Sequence, residues 1–328
     1  MTDNPVIAHV TRGSTVESRH RGAYVVRDAS GKVVCAVGDL TTPVFPRSSI
    51  KAFQCVPLID SGAAEHFGLN DEEIALCCAS HNGEPEHLRV AASILAKSGN
   101  TEGHYECGAH WPHERKDVIE LARAHAEPRA IHNNCSGKHA GMLAYAKHLS
   151  VGTEGYVKQG HPVQQAVAAT LARYCDVDIA KAPVGIDGCS VPTWAMPLPN
   201  MALGFARLTN PADKAGQWII RAARKHPFMV AGSNRFDTDI MQKIPRLFIK
   251  VGAEGVYCGC IAHAGLGFAL KCDDGSTRGA EVAVARVFLG LDVWNDEERK
   301  VLQEHATAKL SNWNGIEVGA VEGFTPSI

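Results

Sequence analysis

Apolar and polar positions follow one rhythm at the two ends of the chain and another across its middle. Near the N-terminus, Val6–Val10, Ala23–Val26 and Val33–Val37 are short runs rich in β-branched residues. They are separated by turn signals, and Asp28-Ala29-Ser30-Gly31-Lys32 is a hairpin-type connection. Toward the C-terminus, Leu247–Lys250, Gly255–Ile261 and Gly267–Lys271 read as a meander, and Ile316–Val321 as a last strand. Between these ends the period is helical. It predicts a helix opening at Pro46-Arg47-Ser48, with Ser48 as its cap and a stripe of Ile50, Phe53, Cys55, Val56, Leu58 and Ile59. Another helix starts at Leu69–Glu73, where acids fill the first turn. Further helices are expected at 85–96, 114–126, 137–148, 162–174, 197–206, 211–225 and 233–243, then at 277–289 and 295–308.

The blocks predict an α+β fold in a single domain, residues 1–328. Its mixed, mostly antiparallel sheet is built from both chain ends, about 1–45 and 246–325, and is covered by helices. The middle, about 46–245, forms a helical lobe. In such a layering Lys250, at the end of a strand, can face the opening of the Ser48 helix, while Ser80 approaches from the lobe.

Composition narrows the function. Lys and Arg number 33 against 35 Asp and Glu, a net charge of −2, so the basic footprint of a nucleic-acid binder is absent. No apolar stretch is long enough for a membrane span, and the first residues lack a charged-then-apolar signal region. A soluble, cytoplasmic protein is expected. Its eleven cysteines are then reduced thiols, and Cys77, Cys78, Cys258 and Cys260 fit core positions.

Chemistry enters with Ser48-x-x-Lys51. Three residues apart on a helix, the two side chains share a face, and a neutral lysine beside a serine can take its proton. Alone this spacing is common on solvated helices. Two further pairs follow it in order, Ser80-His81-Asn82 and Lys250-Val251-Gly252. The series S-x-x-K, S-x-N, K-x-G is that of β-lactamases and penicillin-binding proteins, with His81 and Val251 at the degenerate middle positions. A second polar cluster, Asn133–His139, precedes an apolar helix. A third, Gly185–Pro192, ends a strand-like run. Two thiols, an imidazole and a carboxylate on such loops suit either a zinc site or a substrate pocket, and also polar groups that merely satisfy element ends. His81 and His87 are further possible ligands, although lone histidines are usually surface or satisfied core residues.

With both clusters in view the chain resembles the rhizobial-type (class 3) L-asparaginases, whose fold is similar to the serine β-lactamases. The resemblance is carried by Arg47-Ser48-x-x-Lys51, Cys-Ala-Ser80-His81, Cys135-Ser136-Gly137-Lys138-His139-Ala140-Gly141-Met142-Leu143, Asp187-Gly188-Cys189-x-x-Pro192-Thr193 and Lys250-x-Gly252-Ala253. It implies two Ser–Lys pairs at one site, Ser48 with Lys51 and Ser80 with Lys250. It also implies a zinc ion held by Cys135, Lys138 and Cys189, with Asp187 and His139 near metal and substrate, and a homodimer. The activity implied is hydrolysis of L-asparagine, with Ser48 as nucleophile, Lys51 as base and Ser80–Lys250 as proton relay. A contrary reading makes Ser80 primary. Under either reading Arg47 is a candidate clamp for the substrate carboxylate and Asp187 a candidate partner of its α-ammonium, the alternative for each being a structural ion pair. Two rival classes remain: a glutaminase or other acyl hydrolase of this architecture, and a metal-binding protein without catalysis.

Overall fold

The structure, a computed structural model, describes residues 4–325. In chain order its strands are β1 (Val6–Arg12), β2 (Thr15–Asp28), β3 (Val33–Val37), β4 (Val184–Ile186), β5 (Pro192–Trp194), β6 (Leu247–Gly252), β7 (Val256–Ile261), β8 (Leu266–Cys272), β9 (Thr307–Ser311) and β10 (Glu317–Gly323). The main sheet runs β6-β7-β8-β2-β1-β10-β9, with β3 also paired to β2. Among the described residues its pairings are antiparallel throughout, and β4 and β5 form a separate ribbon. The sheet thus draws on both chain ends, and the stretch between β3 and β6 is mainly helical.

Where pattern and structure differ, the cause is burial. β2 is 14 residues long, but only its second half is enclosed. Its first half, Thr-Val-Glu-Ser-Arg-His-Arg, carries polar residues on a largely exposed run, so apolar periodicity finds only Ala23–Val26. β9 is exposed along most of its length and has no apolar alternation, so the helix expected over 295–308 overruns its first two residues. The helix in fact stops at His305. Ser48 is not a helix cap. Arg47–Ile50 is a 3-10 turn, the α-helix begins at Lys51, and neither start carries a side-chain cap bond. At Leu69–Glu73 the expected start is present: Asn70 accepts from the Glu73 amide at 3.0 Å, and Glu73 accepts from the Asn70 amide at 2.8 Å.

The Lys51–Asp60 helix runs through the centre of the lobe. Every residue from Lys51 to Ile59 is buried, against helices Ser136–His148, Pro162–Cys175 and Lys214–Lys225. A lysine at the head of such a helix must find polar partners inside the protein. β6 and β7 are buried at every position, so Lys250 is enclosed as well. All eleven cysteines are free thiols and ten of them are buried. No helix among the described residues is long and apolar enough to cross a membrane.

Helix Leu198–Leu208 lies directly on β8, and Gly267 permits that approach. A Cβ there would sit 2.0 Å from the Ala202 carbonyl oxygen and 2.4 Å from the Ala206 nitrogen. Both neighbours are backbone and cannot rotate away. Gly267→Ala is therefore expected to cost about 3 kcal/mol of stability. Thermal unfolding checks this, and an unchanged midpoint would contradict the packing described.

Candidate active site

Three segments meet around one hydroxyl. Ser80 follows the Asp71–Cys77 helix and is 5% exposed. Its Oγ lies 2.9 Å from Lys51 Nζ and 2.9 Å from Lys250 Nζ. The Lys51 amine also donates to the Ala79 carbonyl and reaches Cys135 Sγ at 3.0 Å. The Lys250 amine donates to the Val251 carbonyl at 2.8 Å. Both lysines are almost fully enclosed. Burial, reinforced by the neighbouring charge of Lys51, pushes the Lys250 amine down to about 7.

Lys51 and Lys250 therefore share Ser80. Among the described residues no side-chain hydrogen bond joins Ser48 to Lys51, whose backbone N–H donates to the Ser48 carbonyl, and the second pair expected from sequence takes up both amines. Ser48 is half-buried in the 3-10 turn that leads directly into the Lys51 helix. The residue before it, Arg47, has φ +53°, a left-handed conformation that costs a non-glycine residue about 1 kcal/mol or more. Gly252 explains the glycine of K-x-G. A Cβ there would fall 2.6 Å from the Pro46 carbonyl oxygen and 3.1 Å from the Ser49 nitrogen, so the end of β6 presses on the turn that carries Ser48.

The second cluster lies against the first through Cys135. This residue precedes the Ser136–His148 helix, and Lys138 follows within its first turn. The Lys138 amine lies 2.9 Å from Cys189 Sγ, which sits in the tight turn Asp187–Ser190. Ser190 there has φ +74°. Hydrogen bonding to Cys189 opposes burial and holds the Cys135 thiol well below its usual range, with help from Lys51 and Lys138. The same bond, with burial, drives the Cys189 thiol up. Burial disfavours the Lys138 ammonium, but the two sulfur groups outweigh it and hold its proton more tightly than usual.

Two sulfurs and an amine nitrogen converging from one helix turn and one loop suit a tetrahedral zinc with a fourth position open. In the structure they are joined by shared protons, which a divalent ion would displace. His20, Cys272 and Asp274 also bring nitrogen, sulfur and oxygen within 4.8 Å of one another. They already satisfy each other, at 2.6 Å from His20 Nδ1 to Asp274 and 3.0 Å from Cys272 to Asp274. His81 and His87 are not free to ligate. His81 accepts from the Gly83 amide at 3.1 Å and lies 3.0 Å from Ser136 Oγ. His87 accepts from the Glu84 amide and bonds the Phe228 carbonyl.

Arg47 and Asp187 meet each other: Nε donates to Oδ1 at 2.7 Å. Burial works against the Asp187 carboxylate, yet this bond and the charge of Lys138 keep it below the usual range. A cavity of about 690 Å³ borders Arg47 and is lined also by Phe45, Gly185, Ile186 and Thr193, but not by Ser48, Lys51, Ser80 or Lys250. Lys51, Ser80 and Lys250 are buried. His139 is buried, its Nδ1 2.6 Å from the Tyr156 hydroxyl and its Nε2 without a partner. Burial holds this imidazole neutral. Tyr156 and Asp237, whose Oδ1 takes the Val251 amide at 2.7 Å, escaped the sequence reading because neither lies in a recognisable motif.

Comparison with solved structures finds similarity to a β-lactamase from Mycobacterium bovis, 14% identical, over 87% of this chain and 94% of that one, with a TM-score of 0.41. No curated protein matches the sequence. The family model for L-asparaginase II matches residues 8–323, nearly the whole length, and the chain belongs to that family.

Proposed function

We propose that the protein is an L-asparaginase that hydrolyses L-asparagine to L-aspartate and ammonia through a serine ester. The observation that carries this reading is the Lys51–Ser80–Lys250 chain, with 2.9 Å on each side of one hydroxyl. Lys250, held down to about 7, can accept a proton at neutral pH. Ser48 is the nucleophile because it is the half-buried serine of the S-x-x-K turn, whereas Ser80 is enclosed. As Ser48 Oγ bonds to the side-chain amide carbon, its proton passes to Lys51, from Lys51 to Ser80, and from Ser80 to Lys250. Collapse of the tetrahedral intermediate returns the proton to the amide nitrogen, and ammonia leaves. Water then attacks the aspartyl ester, and the same chain restores the Ser48 proton. The Ser48 amide and a second donor hold the oxyanion.

The zwitterionic end of asparagine is matched by the Arg47–Asp187 pair. The guanidinium takes the α-carboxylate and the carboxylate takes the α-ammonium, so one ion pair is exchanged for two. His139, its ring held by Tyr156, offers Nε2 for the substrate. Cys135, Lys138 and Cys189 would hold zinc. Bound there, the ion would supply positive charge that helps orient the substrate. The reading extends to a cytoplasmic homodimer, and eleven free thiols suit a reducing compartment. The alternative nucleophile has one observation in its favour: both amines bond Ser80 rather than Ser48.

Ser48→Ala is expected to lower kcat/KM for ammonia release from asparagine by about 10³-fold or more. An electrophilic asparagine analogue should label the Ser48 peptide in mass spectrometry. Label on the Ser80 peptide instead would establish the alternative. Because only the neutral amine accepts a proton, kcat/KM should rise as pH passes through about 7. Lys250→Arg, which has no neutral form, should lose about 10²-fold or more at every pH, and an unchanged profile would remove Lys250 from the mechanism. Metal analysis after exhaustive dialysis should give about one zinc per chain, lost in Cys135→Ala and in Cys189→Ala. A wild-type chain without zinc contradicts that assignment.

A further inference from the structure

Behind Lys250 lies a group of buried and half-buried acids that the proton chain does not use. Asp237, fully buried in helix Phe236–Lys243, accepts the Val251 amide at 2.7 Å through Oδ1. The carbonyl of the same Val251 receives the Lys250 amine at 2.8 Å. Val251 pairs across the sheet with Tyr257, whose hydroxyl lies 3.4 Å from Asp237 Oδ2 and 3.1 Å from Glu281 Oε1. Glu281 comes from helix Thr277–Leu289. One phenolic proton thus faces two carboxyl groups. A phenol can donate to only one of them, so the other must keep its own proton and donate to the phenol oxygen, or face it unpaired.

We propose that Asp237, Tyr257 and Glu281 form a proton-sharing strut that fixes the strand aiming the Lys250 amine and couples its protonation to that of Glu281. Asp237 is the end tied to the strand, because it is the one that takes a backbone amide. Glu281 is the protonated end, since burial and then Asp237 push its carboxyl up to about 7. Other charges bear on both ends. Lys51 and Cys135 act on Lys250, Arg235 acts on both groups, and His305, which bonds Asp239 at 2.6 Å, acts on Glu281. Negative charge on the strut favours the Lys250 ammonium, and loss of the amine's proton favours uptake of one by Glu281. Protonation of each group therefore bears on the other through Asp237 and the Val251 strand. All three acids are positioning residues. Their effect on turnover rests on the role given to Lys250 above, but the coupling does not.

The test is an NMR titration of the full chain with lysine labelled at 13Cε and 15Nζ, with Lys250 assigned by its loss in Lys250→Met. In the wild type the Lys250 signal should move in two steps, the second reporting Glu281. Glu281→Gln, whose amide can donate to Tyr257 as the acid does, should leave a single step about half a unit lower. Asp237→Asn, which keeps an acceptor for the Val251 amide, should lower the midpoint by about one unit. The acid limb of kcat/KM for asparagine should shift with each. Identical Lys250 titrations in all three proteins, with only thermal stability falling, would overturn the strut and leave these residues a structural role. Shifted titrations in a chain that releases no ammonia would uphold the strut and sink the asparaginase reading.

Discussion

Two lysine amines enclosed around one serine hydroxyl are the constraint on which the rest of the structure depends. With both held against Ser80, the amines lie within about 6 Å of each other. Two ammonium charges at that range repel by about 3 kcal/mol at an effective dielectric of 20. Enclosure adds a further penalty for each charge. The protein relieves the strain by letting Lys250 shed its proton near neutrality. A neutral amine needs fewer acceptors than an ammonium, and the Val251 carbonyl and Ser80 serve it. Lys51 is served more richly, by the Ala79 carbonyl, Ser80 and the Cys135 sulfur.

Holding this arrangement shapes the surrounding fold. Lys51 heads a helix buried along nearly its whole length, so its amine cannot reach water by a change of rotamer. Lys250 lies within a strand buried at every position, and β6 is pressed against the Ser48 turn by a glycine that admits no side chain. The turn itself is bent by a left-handed arginine, and the ion pair to Asp187 ties that arginine to the loop bearing Cys189. Arg47 and Ser190, two of the seven non-glycine residues with positive φ among those described, border the two clusters. Cys135 joins them, since its sulfur faces Lys51 on one side and it opens the helix turn that carries Lys138.

Much of this was legible in the sequence, but unevenly. The meander β6–β7–β8 shows because its strands are buried on both faces and rich in apolar residues, and the helix starting at Asn70 shows because its capping box is local. The first half of β2 and all of β9 stay hidden because exposed strands need no apolar alternation. In the site, motif order brings Ser80, Lys51 and Lys250 together. The partner each amine takes is a matter of tertiary geometry, and spacing along a helix suggested Ser48 for Lys51 where the structure gives Ser80. The two thiols and Asp187 stand out as polar groups on loops at element ends, but their spacing matches no structural zinc motif, and Lys138 as a ligand is visible only through family resemblance. Asp237, Tyr257 and Glu281 left no signal, because each acts through a contact 14 or more residues away in the chain.

The most direct test of the account is where the protons lie between the two amines. Neutron diffraction from crystals of the deuterium-exchanged protein, grown about one unit above the Lys250 midpoint, locates them. The account predicts two deuterons on Lys250 Nζ and the Ser80 deuteron pointing at that nitrogen, with Lys51 donating to Ser80 from the other side. Three deuterons on each amine, or either nitrogen turned away from Ser80, would contradict it.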